Sequence, residues 1–280
     1  MNEWFAYQHC KLYQSYEREI SYLTKYPEGK YSSEVRNLFA RYEKKYINEN
    51  LYGLEMPSGV TNRMIEGYLS SYERYSSFFP EGDLRNQVDQ FIQDLIEEQD
   101  FQKLMSSMGL EKEDFRAYYE KYPNTSHVKE LEYKQATVPY ENYSLANGSQ
   151  PYSSYYGYNS TSGGCSIVIK SSSNHDCVVT VKYNNSDGDV AGHVYVRRGQ
   201  SAEILLPSGK TYQVFFYSGT GWYPEKEMSK DVKGGFINDE SFSYDDTPFS
   251  LSYGEYVTYT LTPVSNGNFT PRAANQNDYF

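Results

Sequence analysis

Apolar residues recur at helical spacing through the first half of the chain and at alternate positions through the second. Leu12, Tyr16, Ile20 and Leu23, then Tyr31, Val35, Leu38, Tyr42 and Tyr46, lie three or four residues apart, as on one face of a helix. The spacing continues in Met64, Tyr68, Tyr72, Tyr75 and Phe79, and again in Leu84, Val88, Phe91 and Leu95. Phe101, Leu104, Met105 and Met108 extend that line to Gly109, a residue suited to a helix C-cap. Further helices are predicted over about 111–122 and 126–135. Three aromatic-proline turns punctuate the pattern: Tyr26-Pro27-Glu28-Gly29, Phe79-Pro80-Glu81-Gly82 and Tyr122-Pro123-Asn124-Thr125. Helices paired across such turns carry an apolar stripe on each arm, and stacking of successive pairs buries both. Residues 1–135 are therefore expected to form an all-α array of helical hairpins.

From Cys165 the period changes to two. Ile167/Ile169, Cys177/Val179/Val181/Tyr183, Val194/Val196, Ile204/Leu206, Tyr212/Val214/Phe216 and Val257/Tyr259/Leu261 each put alternate apolar residues on one face. Turn signals separate them at Ser173-Asn174-His175-Asp176, Asp187-Gly188, Arg198-Gly199-Gln200 and Pro207-Ser208-Gly209. Short strands at this spacing predict an all-β sandwich over 165–264. Between the halves, residues 136–164 hold six tyrosines among Ser, Gly, Asn and Pro, with Glu141 their one charge. They read as a linker whose tyrosines either dock on a domain or form a recognition segment. Residues 265–280 are polar, without a period, and read as a tail. The expected fold class is α+β in two separate domains.

Tyr22-Leu23-Thr24-Lys25-Tyr26-Pro27-Glu28-Gly29-Lys30-Tyr31-Ser32-Ser33-Glu34-Val35 resembles the turn of bacterial tetratricopeptide-like repeats, and Tyr118 to Leu131 shares its aromatic-proline core. The resemblance implies helix pairs used for protein–protein contact. The prolines stand 53 and 43 residues apart, so the spacing departs from the roughly 34-residue period of that family. In the second half, Val196-Arg197-Arg198-Gly199-Gln200-Ser201-Ala202-Glu203-Ile204 leads through Pro207-Ser208-Gly209 to Tyr212-Gln213-Val214. This phrase resembles the hairpin of PEGA-type β-sandwich modules, which implies an accessory, non-catalytic domain of bacterial envelope proteins.

Charge narrows the choice of partner. The net charge of −11 divides between the halves, with 17 Lys+Arg against 23 Asp+Glu in 1–135, so no basic footprint for nucleic acid is expected. No apolar run approaches the roughly 20 residues that span a bilayer, so membrane insertion is not expected. Without a signal-peptide pattern at Met1-Asn2-Glu3-Trp4, a cytoplasmic location is expected; an upstream anchor would place the protein in the envelope. The 32 tyrosines supply either half-buried helix faces or an adhesive surface.

Candidate chemistry is sparse. His9-Cys10 are adjacent and point about 100° apart on a helix. Cys165, His175, Cys177 and His193 are the soft-ligand set, but lack the two close pairs of a structural zinc site. The alternatives for the two cysteines are burial on separate strands or a cross-strand disulfide. Asn185-Ser186-Asp187-Gly188-Asp189 suits a hairpin turn better than a calcium loop. Asn238-Asp239-Glu240 and Asp245-Asp246 would hold a hard cation only if the fold joined them. Gly219-Thr220-Gly221-Trp222-Tyr223-Pro224 reads as a loop presenting Trp222 and Tyr223 for stacking on a sugar or a partner, or as a tryptophan closing the sandwich. The expected function is that of a non-enzymatic interaction protein without cofactor or metal, binding a protein partner through Tyr72, Tyr75, Tyr118 and Tyr119. The alternatives are a carbohydrate-binding or surface module centred on Trp222 and Tyr223, and an enzyme with a site near His175 and His193.

Overall fold

The computed structural model describes residues 2–13, 16–80, 82–185, 188–229, 231–261 and 272–280. Helices occupy the N-terminal part and strands the C-terminal part. The chain separates into two units, Met1–Ser107 with Arg116–His127, and Met108–Phe115 with Val128–Phe280. The helices are α1 (Glu3–Tyr13), α2 (Tyr16–Lys25), α3 (Ser32–Asn50), α4 (Asn62–Phe78), α5 (Arg85–Ser106), α6 (Lys112–Lys121) and α7 (Val128–Thr137). Their starts and stops follow local chemistry: Thr61 caps α4 by accepting from the Met64 N–H at 3.4 Å.

In the helical unit α2 packs on α1 and α3, and α4 packs on α3 and α5. One small core holds Tyr7, Cys10, Tyr22 and Val35; a larger one runs from Ile47 through Ile65, Tyr75, Phe79 and Val88 to Leu95. What fixes the hairpins is a carboxylate set under each of the first two aromatic-proline turns. Glu3 Oε1 accepts from the Tyr22 hydroxyl at 2.7 Å and the Tyr31 N–H at 3.4 Å. Glu43 Oε1 accepts from the Tyr75 hydroxyl at 2.6 Å and the Leu84 N–H at 3.0 Å. Tyr31 and Leu84 are the N-cap residues of α3 and α5, where amide groups lack intrahelical acceptors and negative charge is favoured. Gly29 and Gly82 make room, since a Cβ at either would collide with that carboxylate. The third turn repeats the backbone pattern, Thr125 N–H to Tyr122 O at 3.2 Å, as Gly29 to Tyr26 and Gly82 to Phe79. There Thr125 replaces the glycine, and its hydroxyl caps the His127 N–H at 3.2 Å.

The second unit contains two sheets, ordered β4-β1-β8 and β3-β2-β5-β6-β9, with β7 also on β5. The strands are β1 (Cys165–Lys170), β2 (Asp176–Tyr183), β3 (Val190–Val196), β4 (Ser201–Leu206), β5 (Lys210–Ser229), β6 (Val232–Tyr244), β7 (Phe249–Leu251), β8 (Tyr256–Thr260) and β9 (Arg272–Ala273). Ile167, Ile169, Cys177, Val179, Val181, Val194, Ile204, Tyr212, Val214 and Phe216 form the core shared by the sheets, on the faces that the alternation predicts. A second, aromatic core covers the opposite face of the larger sheet, where Val178, Tyr195, Phe215, Tyr217, Trp222 and Phe236 pack with Tyr152 and Tyr279.

That second core overturns two sequence expectations. Residues 136–164 do not behave as a linker. Gly148 N–H donates to Tyr195 O at 2.8 Å, Tyr195 N–H donates to Ser149 O at 2.7 Å, and the Trp222 N–H donates to Tyr143 O at 2.8 Å. Tyr152, just before the short helix α8 (Ser153–Tyr156), is buried, and its hydroxyl donates to Gly234 O at 3.0 Å. The described part of the expected tail, 272–280, is likewise ordered, as β9 and α9 (Gln276–Tyr279). The Tyr279 hydroxyl accepts from Thr180 Oγ1 at 2.8 Å and donates to Val178 O at 3.0 Å. The physical reason is common to both: β2 and β5 are apolar on both faces, and the outer one needs a cover. Helix α7, expected with the helical half, groups with the strands, where Lys134 pairs with Glu141 at 2.9 Å and Tyr133 meets Tyr223.

Two measurements check this packing. Gly82→Ala should cost about 1–3 kcal/mol in denaturant unfolding because the added methyl displaces the Glu43 carboxylate; Gly67→Ala, in open space within α4, should stabilise by about 0.5–1 kcal/mol. Equal effects would show that the turn has no such constraint. Tyr279→Ala should destabilise the second unit by about 3 kcal/mol, as loss of a buried aromatic does, and leave the helical unit's transition in place.

Candidate functional site

Helix α2 buries Glu19 and Tyr22 on its inner face, which leaves Ile20, Leu23 and Thr24 along one flank. Arg36 and Phe39 of α3, with Pro80 and Asp83 of the second turn, complete a groove of about 580 Å³. Phe39 forms its apolar wall and is fixed by an edge contact to Phe79, ring centroids 5.4 Å apart. Two side chains of opposite charge, Arg36 and Asp83, line the same groove. The Arg36 guanidinium donates to Pro27 O at 2.8 Å and lies 3.7 Å from Glu28 Oε1, with most of its surface still open. Asp83 is exposed. On the other flank of α2, Ala6, His9, Arg18, Ser21, Tyr22, Lys25 and Tyr26 line a smaller groove of about 280 Å³. The larger groove thus joins an apolar wall with two opposite charges.

The four tyrosines expected to contact a partner do not line these grooves. Tyr75 and Tyr118 are buried. Tyr75 is held by Glu43, and burial with that carboxylate pushes its hydroxyl well above the ordinary range. Tyr118 packs against Tyr122, and burial raises it to about 12. Tyr72 is half-buried, its hydroxyl donating to Asp89 at 2.7 Å and accepting from Arg85 at 3.1 Å. Tyr119 is half-buried with its ring edge toward Tyr118. They lie on the stripes that hold helices together, so Tyr75 and Tyr118 are corrected from contact surface to interior.

Trp222 requires the same correction. The expected loop 219–224 lies inside β5, where Trp222 pairs with Phe236 and is 2% exposed, out of reach of a sugar ring. Register shifts on either side absorb the irregular residues, including Gly221 at φ 67°. Tyr223 is half-buried, with Tyr140 at 5.2 Å and Tyr133 at 6.1 Å.

The two histidines do not converge. Thr180 is the cross-strand partner of His193, and His175 precedes it by five residues, roughly 16 Å of extended chain. His193 is buried; its Nε2 accepts from the Tyr152 N–H at 3.1 Å, and burial lowers its pKa to about 4. All three cysteines are free and buried, and burial raises Cys177 to about 12. No group of three or more metal-ligating side chains forms among the described residues. Glu240 pairs with Lys226, Asp245 accepts from the Tyr259 hydroxyl at 2.8 Å, and Asp246 meets Arg272 at 2.6 Å, so the acidic loops are committed elsewhere. In the expected turn 185–189, Gly188 N–H donates to Asn185 Oδ1 at 2.9 Å; Ser186 and Asp187 lie outside the described residues. No helix among the described residues is long and apolar enough to cross a membrane.

The groove residues were not singled out by sequence, because Ile20 and Leu23 belong to an ordinary helical stripe. Glu19 did leave a signal. It stands three residues before Tyr22 and seven before Tyr26, a carboxylate on the buried face.

A pH measurement tests the burial of His193. Its folded-state pKa lies below its unfolded value, so the unfolded chain binds more protons between pH 6.5 and 4 and stability is lost as pH falls through that window. The loss should approach about 3 kcal/mol by pH 4 and be largely absent in His193→Gln once other groups are matched. A wild-type and a variant curve of the same slope would show a solvated imidazole.

No protein-family model, no curated protein and no solved structure matches the chain.

Proposed function

We propose that the protein is a non-enzymatic interaction protein whose helical unit docks an extended segment of a partner in the α2–α3 groove, with the strand unit as an accessory contact or display module. The observation that carries this reading is the groove itself: apolar Ile20, Leu23, Phe39 and Pro80 together with the half-exposed cation Arg36 and the exposed anion Asp83. Its volume of about 580 Å³ accommodates a few side chains of a partner segment. The occupant that complements it has an apolar anchor, an acidic residue toward Arg36 and a basic residue toward Asp83. Stacked helical hairpins offer such grooves on a rigid frame, and the resemblance of the first turn to tetratricopeptide-like repeats points the same way.

Selection of a displayed random-peptide library on the full chain tests it. Enriched sequences should share the acidic–apolar–basic order. Asp83→Lys, at an exposed position, should reverse the preference at the basic site, and Leu23→Asp should weaken binding at least tenfold, about 1.4 kcal/mol. Enrichment without that order, or binding unchanged in both variants, would remove the groove from the function.

A further inference from the structure

One side chain of α2 is out of keeping with its surroundings. Glu19 has no exposed surface, and neither carboxylate oxygen finds a donor on another of the described residues. The contrast with Glu3 and Glu43 is direct, since each of those accepts a tyrosine hydroxyl and a backbone N–H. Glu19 sits where three helices meet. Cys10 of α1 and Tyr42 of α3 are close enough to feel its charge, and Arg18 is the cation acting on it. The next residue, Ile20, lines the α2–α3 groove, and Arg18 lines the groove on the α1 side. A neutral carboxyl fits such a place at modest cost. An ionised one without donors strains the packing around it, and the relief available is movement of α2 toward water.

We propose that Glu19 makes the α1–α2–α3 junction a proton-gated joint: with its carboxyl neutral the three helices hold the groove in the described form, and with its carboxyl ionised α2 loosens and the groove loses its shape. The proposal rests on the reading of that groove as a docking site and supplies its regulation. Burial pushes Glu19 up to about 7, against an ordinary value of 4.5. The sign follows. Between pH 4.5 and 7 the folded chain binds more protons than the unfolded chain, so this stabilisation is complete at low pH and is lost as pH rises through 7. The other groups facing the joint are Cys10, raised to about 11 by burial and by Glu19, Tyr42, raised by burial, and the cations Arg18 and Arg41. Cys10 and Tyr42 keep their protons between pH 5.5 and 8.5. His9, on α1, lines the groove on the far side of α2 and is removed by His9→Asn as a control.

Hydrogen exchange of the full chain at pH 5.5, 7.0 and 8.5, corrected for the intrinsic rate, reads the joint without any partner. Amide protection over residues 18–25 should fall at least tenfold from pH 5.5 to 8.5, with α5 unchanged. Glu19→Gln should abolish that dependence, and His9→Asn should retain it. The same fall in Glu19→Gln, or its absence from the wild type, would overturn the proposal. If Glu19→Gln does not fold, carbon-detected titration of the wild-type glutamates decides: a Glu19 carboxyl titrating near 7 supports the joint, and one titrating below 5 refutes it. Failure of the peptide selection at pH 5.5 would remove docking and leave this response intact.

Discussion

The helical unit depends on a carboxylate lodged beneath an aromatic-proline turn. A turn between stacked helices leaves the first amides of the incoming helix without acceptors and brings a tyrosine hydroxyl into the interior. One oxygen of Glu3 or Glu43 answers both needs, and it does so from a helix distant in sequence. Each hairpin is thereby tied to its predecessor as well as to its own arms. Gly29 and Gly82 follow from the same demand, because the space a Cβ would fill belongs to the carboxylate. The third turn shows the alternative solution: Thr125 supplies its own cap, accepting from the His127 N–H, and the Tyr118 hydroxyl lies beside it.

In the strand unit the governing fact is that a sheet is covered on two sides by different means. One side meets a second sheet through mostly aliphatic residues; the other meets segments with little regular structure mainly through rings. Aromatic residues suit the second task, since a large planar side chain bridges the gap between a pleated face and an irregular strap. Their hydroxyls must then find internal hydrogen-bond partners. Tyr195 donates to Asp176 at 2.5 Å, and Tyr217 accepts the Phe236 N–H at 2.7 Å. Asp176 also accepts from the Ser144 hydroxyl at 2.5 Å and the Arg198 N–H at 2.8 Å, so one buried carboxylate fastens a strap and a turn to the sheet. Much of the tyrosine content is thus spent inside the protein.

This explains which parts of the structure were legible in the sequence. Helical and alternating periods report a single buried face; they predicted helices in the N-terminal part and strands in the C-terminal part, and the alternate positions from Ile167 to Phe216 face the first core. The second face was hidden because Val178, Tyr195, Phe215 and Tyr217 fall between positions already assigned inward. The signal was the continuous apolar runs around Cys177–Val181 and Val214–Tyr217, the mark of a strand buried on both sides. The candidate site was harder. A groove is the gap between two stripes, set by how α2 and α3 lie together, and no local pattern encodes it. Tyr75 and Tyr118 attracted attention as surplus aromatics, yet their surplus reflects turns and helix contacts.

The position of Tyr279 has a consequence for biosynthesis. Every residue of the helical unit has been translated by His127, so that unit has its full sequence while the strands are still being made. The larger sheet is in the opposite position: the ring that seals its outer face against Val178 and Thr180 comes about a hundred residues after the strand it covers. Until then a nascent chain carries a partly uncovered aromatic surface. Its protection during synthesis falls to chaperones or to the speed of elongation, and a ribosome stalled between β6 and α9 would leave that surface open to aggregation.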